Sequence, residues 1–386
     1  MTLLDGQRIE LLETGDEFFP ALIAAIAGAQ REVHLETYIY ALDATGEAVT
    51  EALLAAARRG VQVRVLVDGF GARDSAAPLA ERLRAVGGEL LVYRPEVARL
   101  RLRRHRLRRL HRKLAMIDAR IAFVGGINIV DDRQQPADAP RFDYALRIEG
   151  PLLATIACDM RHLWRLVRWA HLRRRPPVHE EPPACIRPAG SVRAAFVVRD
   201  NLWHRRDIEE AYLAAIAAAG SEIVLACAYF LPGLRFRHAL MQAAARGVRV
   251  VLLLQGRFEY RLLHYATQAL YGAFLAHGVH IYEYTRGFLH AKVAVVDGEW
   301  LTVGSSNIEP FSLLLAREAN VVVRDRNLAA RLRLSLARAL RDDARLLTPT
   351  DAGQRPWPGR LLRWLAYALV RLLLSLSRYG RREWRQ

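Results

Sequence analysis

The chain has 386 residues, with 57 Lys and Arg against 40 Asp and Glu, a formal charge of +17 and a pI near 10.5. A hydrophobic fraction of 52% with 25% charged residues excludes a disordered chain and leaves room for two domains or one large bilobed one. Three cysteines (Cys158, Cys185 and Cys227) without CxxC spacing argue against a zinc ribbon or disulfide scaffold, and the excess positive charge calls for a polyanionic partner, nucleic acid or an acidic membrane surface.

Met1 to Glu10 carries charges and no apolar stretch, so no Sec-type signal peptide is expected, and no uncharged apolar run reaches the about 18 residues of a conventional span. Residues 31–69, REVHLETYIY…AAARRGVQVRVLVDG, pair an apolar strand, an alanine-rich helix and a second apolar strand, a βαβ pattern. Glu36 stands in the first strand and is either paired with an arginine or turned to a site. Arg99 to Lys113, RLRLRRHRLRRLHRK, is a basic collar suited to anionic headgroups, or equally to nucleic acid. Directly after it, LHRKLAMIDARIAFVGGIN (110–128) reads as a hairpin with Asp-Ala at its turn. Residues 172–190, rich in Pro and charge, read as a linker.

The second half repeats the first. Residues 221–256, SEIVLACAYF…AAARGVRVVLLLQG, restate the βαβ unit, with Ala226 where the first copy has Glu36. LHAKVAVVDGEWLTVGSSN (289–307) restates the hairpin. The organisation expected is an N-terminal lobe over 1–171, a linker over 172–190, a C-terminal lobe over 191–350 and a tail over 351–386. The tail, from Trp357 on, is apolar with a narrow stripe of Arg360, Arg363, Arg371, Arg378 and Arg381 and with Trp357, Trp364 and Trp384 toward its ends. It reads as an amphipathic helix lying in a membrane interface.

Only two lysines occur, Lys113 and Lys292, and each follows a histidine by two residues. The shared pattern is HxKxxxxD with a small-residue turn and Asn beyond it. The first copy supplies His111, Lys113, Asp118, Gly125, Gly126 and Asn128; the second supplies His290, Lys292, Asp297, Gly304, Ser305 and Asn307. On a strand, residues two apart leave the same face, so each His-Lys pair points one way, whereas the aspartates, seven residues on, fall at the turn. That parity favours a structural duty for Asp118 and Asp297. Asn128 and Asn307 suit either a turn or a site.

These residues resemble the HKD enzymes of the phospholipase D superfamily. Within it, HRKLAMIDARIAFVGGINI, DYALRIEGP, AYFLPG and VGSSNIEPFSLLLAREANVVV are most similar to bacterial cardiolipin synthases of the B type, over about residues 5–345. The Gly125-Gly126 pair departs from the superfamily Gly-Ser but is usual in the first motif of those synthases. The resemblance implies an α/β, duplicated fold of two pseudo-twofold lobes, each a mixed sheet flanked by helices, with the site between them. It implies a catalytic set of His111, Lys113, Asp118, His290, Lys292 and Asp297, supported by Asn128, Asn307, Ser305, Glu318 and Asp143, with no cofactor and no metal. His111 is the implied nucleophile and His290 the general acid/base; sequence symmetry alone does not decide between them. Each imidazole needs an acceptor for its second N–H. Glu318, 28 residues after His290, is the candidate for that histidine, and Asp143 the candidate in the first copy.

The chemistry suits the residues. A phosphodiester repels anionic nucleophiles, but a neutral imidazole can attack phosphorus and form a phosphohistidine. An opposed imidazole protonates the leaving oxygen and then deprotonates the incoming alcohol. Two ammonium groups stabilise the non-bridging oxygens. The expected reaction is phosphatidyl transfer between two phosphatidylglycerol molecules, at the inner membrane on its cytoplasmic face, with no nucleic-acid partner. A phospholipase D hydrolase or an HKD nuclease would use the same residues.

Overall fold

The computed structural model describes residues 1–95, 108–133, 140–171, 187–200, 203–258, 260–309, 316–348, 350 and 357–376. Most of the arginine collar, nearly all of the expected linker and the last ten residues lie outside them. The first half runs β1 (Leu4–Glu13), α1 (Thr14–Ala27), β2 (Glu32–Thr37), α2 (Ala44–Arg58), β3 (Gln62–Asp68), α3 (Ala76–Ala85), β4 (Glu89–Tyr93), β5 (Arg109–Leu110), β6 (Lys113–Ile117), β7 (Ile121–Gly125), β8 (Tyr144–Glu149) and α4 (Leu152–Ala170). The second runs β9 (Val192–Arg199), α5 (Asp207–Ala218), β10 (Glu222–Cys227), α6 (Leu234–Ala245), β11 (Arg249–Gln255), α7 (Arg261–Ala276), β12 (His280–Tyr284), β13 (Lys292–Val296), β14 (Trp300–Gly304), β15 (Ala316–Arg324), α8 (Arg326–Asp342), β16 (Ala344–Leu347) and α9 (Trp357–Leu376).

The strand order is β16-β12-β11-β10-β13-β14-β15-β9-β1-β8-β7-β6-β2-β3-β4. Read outward from the β1–β9 junction, each half repeats the other strand for strand, and β16 adds an edge to the second. Strands β2, β3 and β4 pair in parallel, as do β10, β11 and β12, whereas the hairpins β6–β7 and β13–β14 are antiparallel. The mixed α/β duplication expected from the repeats is therefore present, but the two sheets are one. Antiparallel pairing of β1 with β9 removes an edge that each half would otherwise leave open.

Nearly every residue of β3, β10, β11 and β13 is buried, because helices cover both faces. The helix α2 begins where Asp43 accepts a hydrogen bond from Gly46 N at 2.9 Å, and α8 begins at Asp325 in the same way.

The two copies differ in one buried place. Glu36 on β2 is fully buried and accepts from Arg112 Nε at 2.5 Å and Nη2 at 3.1 Å. Arg112 also pairs with Asp159 of α4. The second copy has Ala226 and Ala291 at the matching positions. So the carboxylate is paired rather than turned to a site, and the copies have exchanged an ion pair for two methyl groups. Burial raises the Glu36 carboxyl even against Arg112. Arg112→Ala, which strands that charge, is expected to cost about 3–5 kcal/mol. The double variant Glu36→Ala/Arg112→Ala should be more stable than the single one, as urea denaturation would show; additive losses would count against the pairing.

Candidate functional site

His111 and His290 precede the strands β6 and β13 by two residues, and Lys113 and Lys292 open them. The segment before each histidine crosses to the other half. His111 N donates to Arg317 O at 2.9 Å, and β5 pairs in parallel with β15. His290 N donates to Phe142 O at 2.9 Å, and Leu289 bridges to Phe142. Each histidine is thereby tied to the backbone one residue before a carboxylate of the opposite half.

The carboxylate partners are consequently exchanged relative to the sequence expectation. His111 Nδ1 lies 3.0 Å and 3.1 Å from the two carboxylate oxygens of Glu318, not beside Asp143. His290 Nδ1 lies 2.6 Å from Asp143 Oδ2, not beside Glu318. The reason is the crossing just described: β8 and β15 lead their carboxylates toward the partner half. No spacing along the chain signals this, because both pairings use the same residues.

The supporting residues fall around this core. Ser305 Oγ donates to Glu318 at 2.5 Å and accepts from Ala319 N at 3.1 Å. The matching residue in the first copy is Gly126, where an added Cβ would come within 2.4 Å of the Asp143 carboxylate oxygens. That close approach accounts for the Gly-Gly departure: a hydroxyl supports the longer Glu318, and a bare backbone makes room for Asp143. Asn128 accepts from Ile39 N at 3.2 Å, a turn-holding bond. Asn307 is buried, and its Oδ1 has no hydrogen-bond partner. Tyr38 is a neighbour that sequence reasoning missed; its ring centroid is 5.0 Å from that of His111 and 5.6 Å from Lys113 Nζ. Only its place after the first strand could have pointed to it.

Asp118 and Asp297 are not in the cluster. Asp118 accepts from the backbone N–H of Gln30, Arg31 and Glu32 at 2.7–2.9 Å, and Asp297 accepts from those of Gly220, Ser221 and Glu222 at 2.8–2.9 Å. Each sits at its hairpin turn with φ near +50° (53° and 51°) and clamps the start of β2 or β10. Their inclusion among the catalytic residues is corrected accordingly; the parity argument placed them properly. Burial would raise the Asp297 carboxyl, but these donors outweigh it and hold it at about 2. Its folded value is depressed, so its stabilisation is present above the ordinary carboxylate range and lost as pH falls toward 2. Asp297→Ala should lower stability by about 1–3 kcal/mol at pH 7. That deficit should shrink below about pH 4 in pH-resolved thermal melts, and a pH-independent deficit would contradict the clamp.

Burial shapes the electrostatics. It lowers both histidines: His111 is pulled part of the way back by Glu318, and His290 is lowered further by Lys292, whose Nζ is 2.8 Å from its Nδ1. Burial also pushes Lys113 down to about 7 and lowers Lys292. Asp143 is pushed up to about 6 by burial, against Lys292, 3.6 Å away. Glu318 behaves oppositely: burial would raise it, but His111, Lys113 and Ser305 hold it low. His111 thus presents a neutral ring whose Nδ1–H is held by an ionised carboxylate, leaving the Nε2 lone pair free. Such an arrangement can perform nucleophilic attack at one ring and proton transfer at the other.

The helix α9 is not a detached tail. It docks on the second half through Ala366, Tyr367 and Val370, all buried, and Arg363 Nε donates to Gln268 of α7 at 2.8 Å. Arg371 lies over the Tyr367 ring at 5.6 Å. Of the stripe, Arg363 and Arg371 thus lie against the docked side, and the apolar face, with Leu361, Leu362, Trp364, Leu365, Leu369, Leu372 and Leu373, is exposed. Among the described residues no helix is long and apolar enough to cross a membrane.

Comparison with known proteins gives the family. The family described as "Cardiolipin synthase, PLD-like domain" matches residues 22–164 and 212–339. The chain is 38% identical to Escherichia coli K12 cardiolipin synthase B over 378 residues, 95% of this chain and 88% of that one. It is 31% identical to Proteus mirabilis cardiolipin synthase A over 95% of this chain and 76% of the other. The fold is shared with a phosphatidylserine synthase of Haemophilus influenzae, at a TM-score of 0.73 and 15% identity, covering 97% of this chain and 96% of that one. A Porphyromonas gingivalis polyphosphate kinase shares it at 0.58 and 16% identity, covering 96% and 53%. With a duplicated sheet, two crossed His-x-Lys sets and these relatives, the chain belongs to the cardiolipin synthase family of phospholipase D-like proteins.

Proposed function

We propose that the protein is a phosphatidyltransferase that joins two phosphatidylglycerol molecules into cardiolipin and glycerol. The observation that carries this reading is the pairing of two His-Lys sets, buried except for the half-buried His111, each oriented by a carboxylate from the other half, in a chain of this family. His111 Nε2 attacks the phosphorus of the donor lipid, and the P–O bond to glycerol breaks as His290 delivers a proton to that oxygen. Burial lowers the His290 imidazole, and the negative phosphodiester of the lipid favours its protonated form. The hydroxyl of a second phosphatidylglycerol then gives its proton to His290 and attacks phosphorus, and the electron pair of the P–N bond returns to His111. Lys113 and Lys292 face the non-bridging oxygens. Asn307, with its buried unpartnered oxygen, is a further candidate to contact the lipid headgroup.

Purified protein on phosphatidylglycerol vesicles should yield cardiolipin and free glycerol. Phosphatidic acid as the sole lipid product would instead make the second step hydrolysis.

The exposed face of α9 supports a peripheral seat on a membrane surface, which in this reading is the cytoplasmic side of the inner membrane. Its apolar residues span about 180° of arc at about 100° per residue, and an arc that wide buries well in an acyl boundary. Leu365→Glu/Leu372→Glu alters two residues that are more than half exposed, so folding should be little disturbed. Each half-exposed leucine contributes about 1 kcal/mol or more when covered, so sedimentation with anionic vesicles should weaken by about 10-fold or more. Equal binding of variant and wild type would remove α9 from the membrane contact.

A further inference from the structure

Arg109 and Arg141 flank the two histidines at positions that the halves have exchanged. Arg109 precedes His111 by two residues and faces Ala316, two before Glu318, where β5 pairs with β15. At the matching crossing, where Phe142 N donates to Phe288 O at 2.9 Å, the residue two before His290 is Phe288 and the residue two before Asp143 is Arg141. Each histidine therefore has an arginine beside it, from the histidine segment on one side and from the carboxylate segment on the other. Residues two apart on an extended segment share a face, which turns Arg141 to the side of Asp143 and His290. Its guanidinium lies over the Phe288 ring at 5.7 Å, and its Nε is 3.9 Å from Asp132 Oδ1. Its side chain is 15% exposed, so it is largely enclosed yet reachable, and its charge depresses the His290 imidazole more than that of Lys113 does. Burial pushes Asp132 up to about 7 even against Arg141, so near neutral pH that carboxyl offsets only part of the cation. Arg109 is placed differently. It lies over the Phe70 ring at 5.6 Å and within electrostatic reach of Tyr38, which packs on His111.

We infer that Arg141 binds the phosphodiester of the acceptor lipid and so selects a charged phosphatidyl acceptor over a neutral alcohol. The inference rests on the transfer reading and deepens its second step. Joining two phosphatidylglycerols brings two phosphodiesters into one site. The donor's is the reacting group, faced by Lys113 and Lys292. The acceptor's is separated from the attacking hydroxyl only by the carbons of one glycerol, so a second anion must be held close by. In-line displacement fixes the side: the entering oxygen approaches opposite the P–N bond to His111, where His290 takes its proton. Arg141 stands on that side, and Arg109 on the other. A guanidinium suits the task, because its planar fork meets two phosphate oxygens at once and it is more weakly hydrated than an ammonium. The arriving phosphodiester also completes the compensation that Asp132 supplies only in part. In this step the hydroxyl proton passes to His290, the new P–O bond forms, and the electron pair of the P–N bond returns to His111. Arg141 exchanges no proton; it holds the acceptor's anion.

The test uses the full chain and an acyl-labelled phosphatidyl p-nitrophenyl ester in phosphatidylcholine vesicles. The labelled phosphoenzyme partitions between water, giving labelled phosphatidic acid, and an added acceptor. Phosphatidylglycerol as acceptor gives labelled cardiolipin, and glycerol gives labelled phosphatidylglycerol. Initial product ratios do not depend on how fast the intermediate forms, and a change in His290 basicity acts on every acceptor. Arg141→Gln, checked for folding by thermal melts, should lower the ratio of cardiolipin to phosphatidic acid about tenfold or more, while the glycerol ratio moves less than about threefold. Arg109→Gln removes a like charge from the other side and should move the cardiolipin ratio less than about threefold. Wild type gives a check that needs no variant: methyl glycerol phosphate, a soluble phosphodiester, should halve phosphatidic acid formation at about a tenth of the glycerol concentration or less. An unmoved cardiolipin ratio in Arg141→Gln, an equal fall with glycerol, an equal fall in Arg109→Gln, or equal wild-type concentrations would overturn the inference while labelled cardiolipin still forms. Phosphatidic acid as the sole labelled product of wild type with phosphatidylglycerol would instead sink the transfer reading, and the inference with it.

Discussion

Replacing His111 by asparagine is expected to lower cardiolipin formation about 10⁴-fold or more, as removal of a covalent nucleophile does elsewhere. The same change at His290 should be comparably severe with phosphatidylglycerol but for a different reason. His111 has its Nδ1 against Glu318, a carboxylate held in its charged form, so its ring is neutral with Nε2 available. His290 sits with Asp143, whose carboxyl is pushed up to about 6, so that pair is built to pass a proton rather than to hold a charge. The two variants therefore separate with a donor whose leaving group needs no acid. With a phosphatidyl p-nitrophenyl ester as donor, His290→Asn should still release one equivalent of nitrophenol and trap a phosphoenzyme. His111→Asn should release none. A trapped intermediate on the His111 variant instead would reverse the assignment, and one on neither would argue against covalent catalysis.

Much of this arrangement was legible in the sequence, and the exceptions have physical causes. The duplication, the hairpins and the His-x-Lys faces follow from periodicities of two residues and from turn chemistry, which are local. The structural place of Asp118 and Asp297 followed from strand parity and turn position. The Glu36 partner was not legible, because the ion pair joins β2 to the residue between His111 and Lys113, and only the register of β2 on β6 brings them together. The docking of α9 was hidden for a related reason. A helix apolar over most of its circumference says that it covers something, but not that Ala366, Tyr367 and Val370 go inward while the wider leucine face stays out. The continuity of the two sheets through β1 and β9 depends on strand edges that carry no composition signal of their own.

The crossed carboxylates give the second large expected effect. Glu318→Gln keeps the shape and a hydrogen-bond acceptor but removes the charge that steadies His111, and a loss of about 10²–10⁴-fold in turnover is expected, as when the aspartate of a catalytic triad is neutralised. Asp143→Asn should act through His290 instead. The decisive measurement is a set of double-mutant cycles on the residual rate of cardiolipin formation from phosphatidylglycerol. If Glu318 works through His111, adding Glu318→Gln to His111→Asn should cost little more, whereas adding it to His290→Asn should cost nearly its full single effect. Asp143→Asn should show the mirror pattern. Had the partners followed the sequence expectation, with Glu318 serving His290, the two cycles would exchange. The geometry also explains why neither half could work alone. His111 is tied to Arg317 and Glu318 by one backbone and one side-chain bond, and His290 to Phe142 and Asp143 in the same way. In the proposed mechanism each half supplies a nucleophile or an acid and the carboxylate that orients the other's, so the duplication would serve the chemistry of each ring as well as the need for two rings.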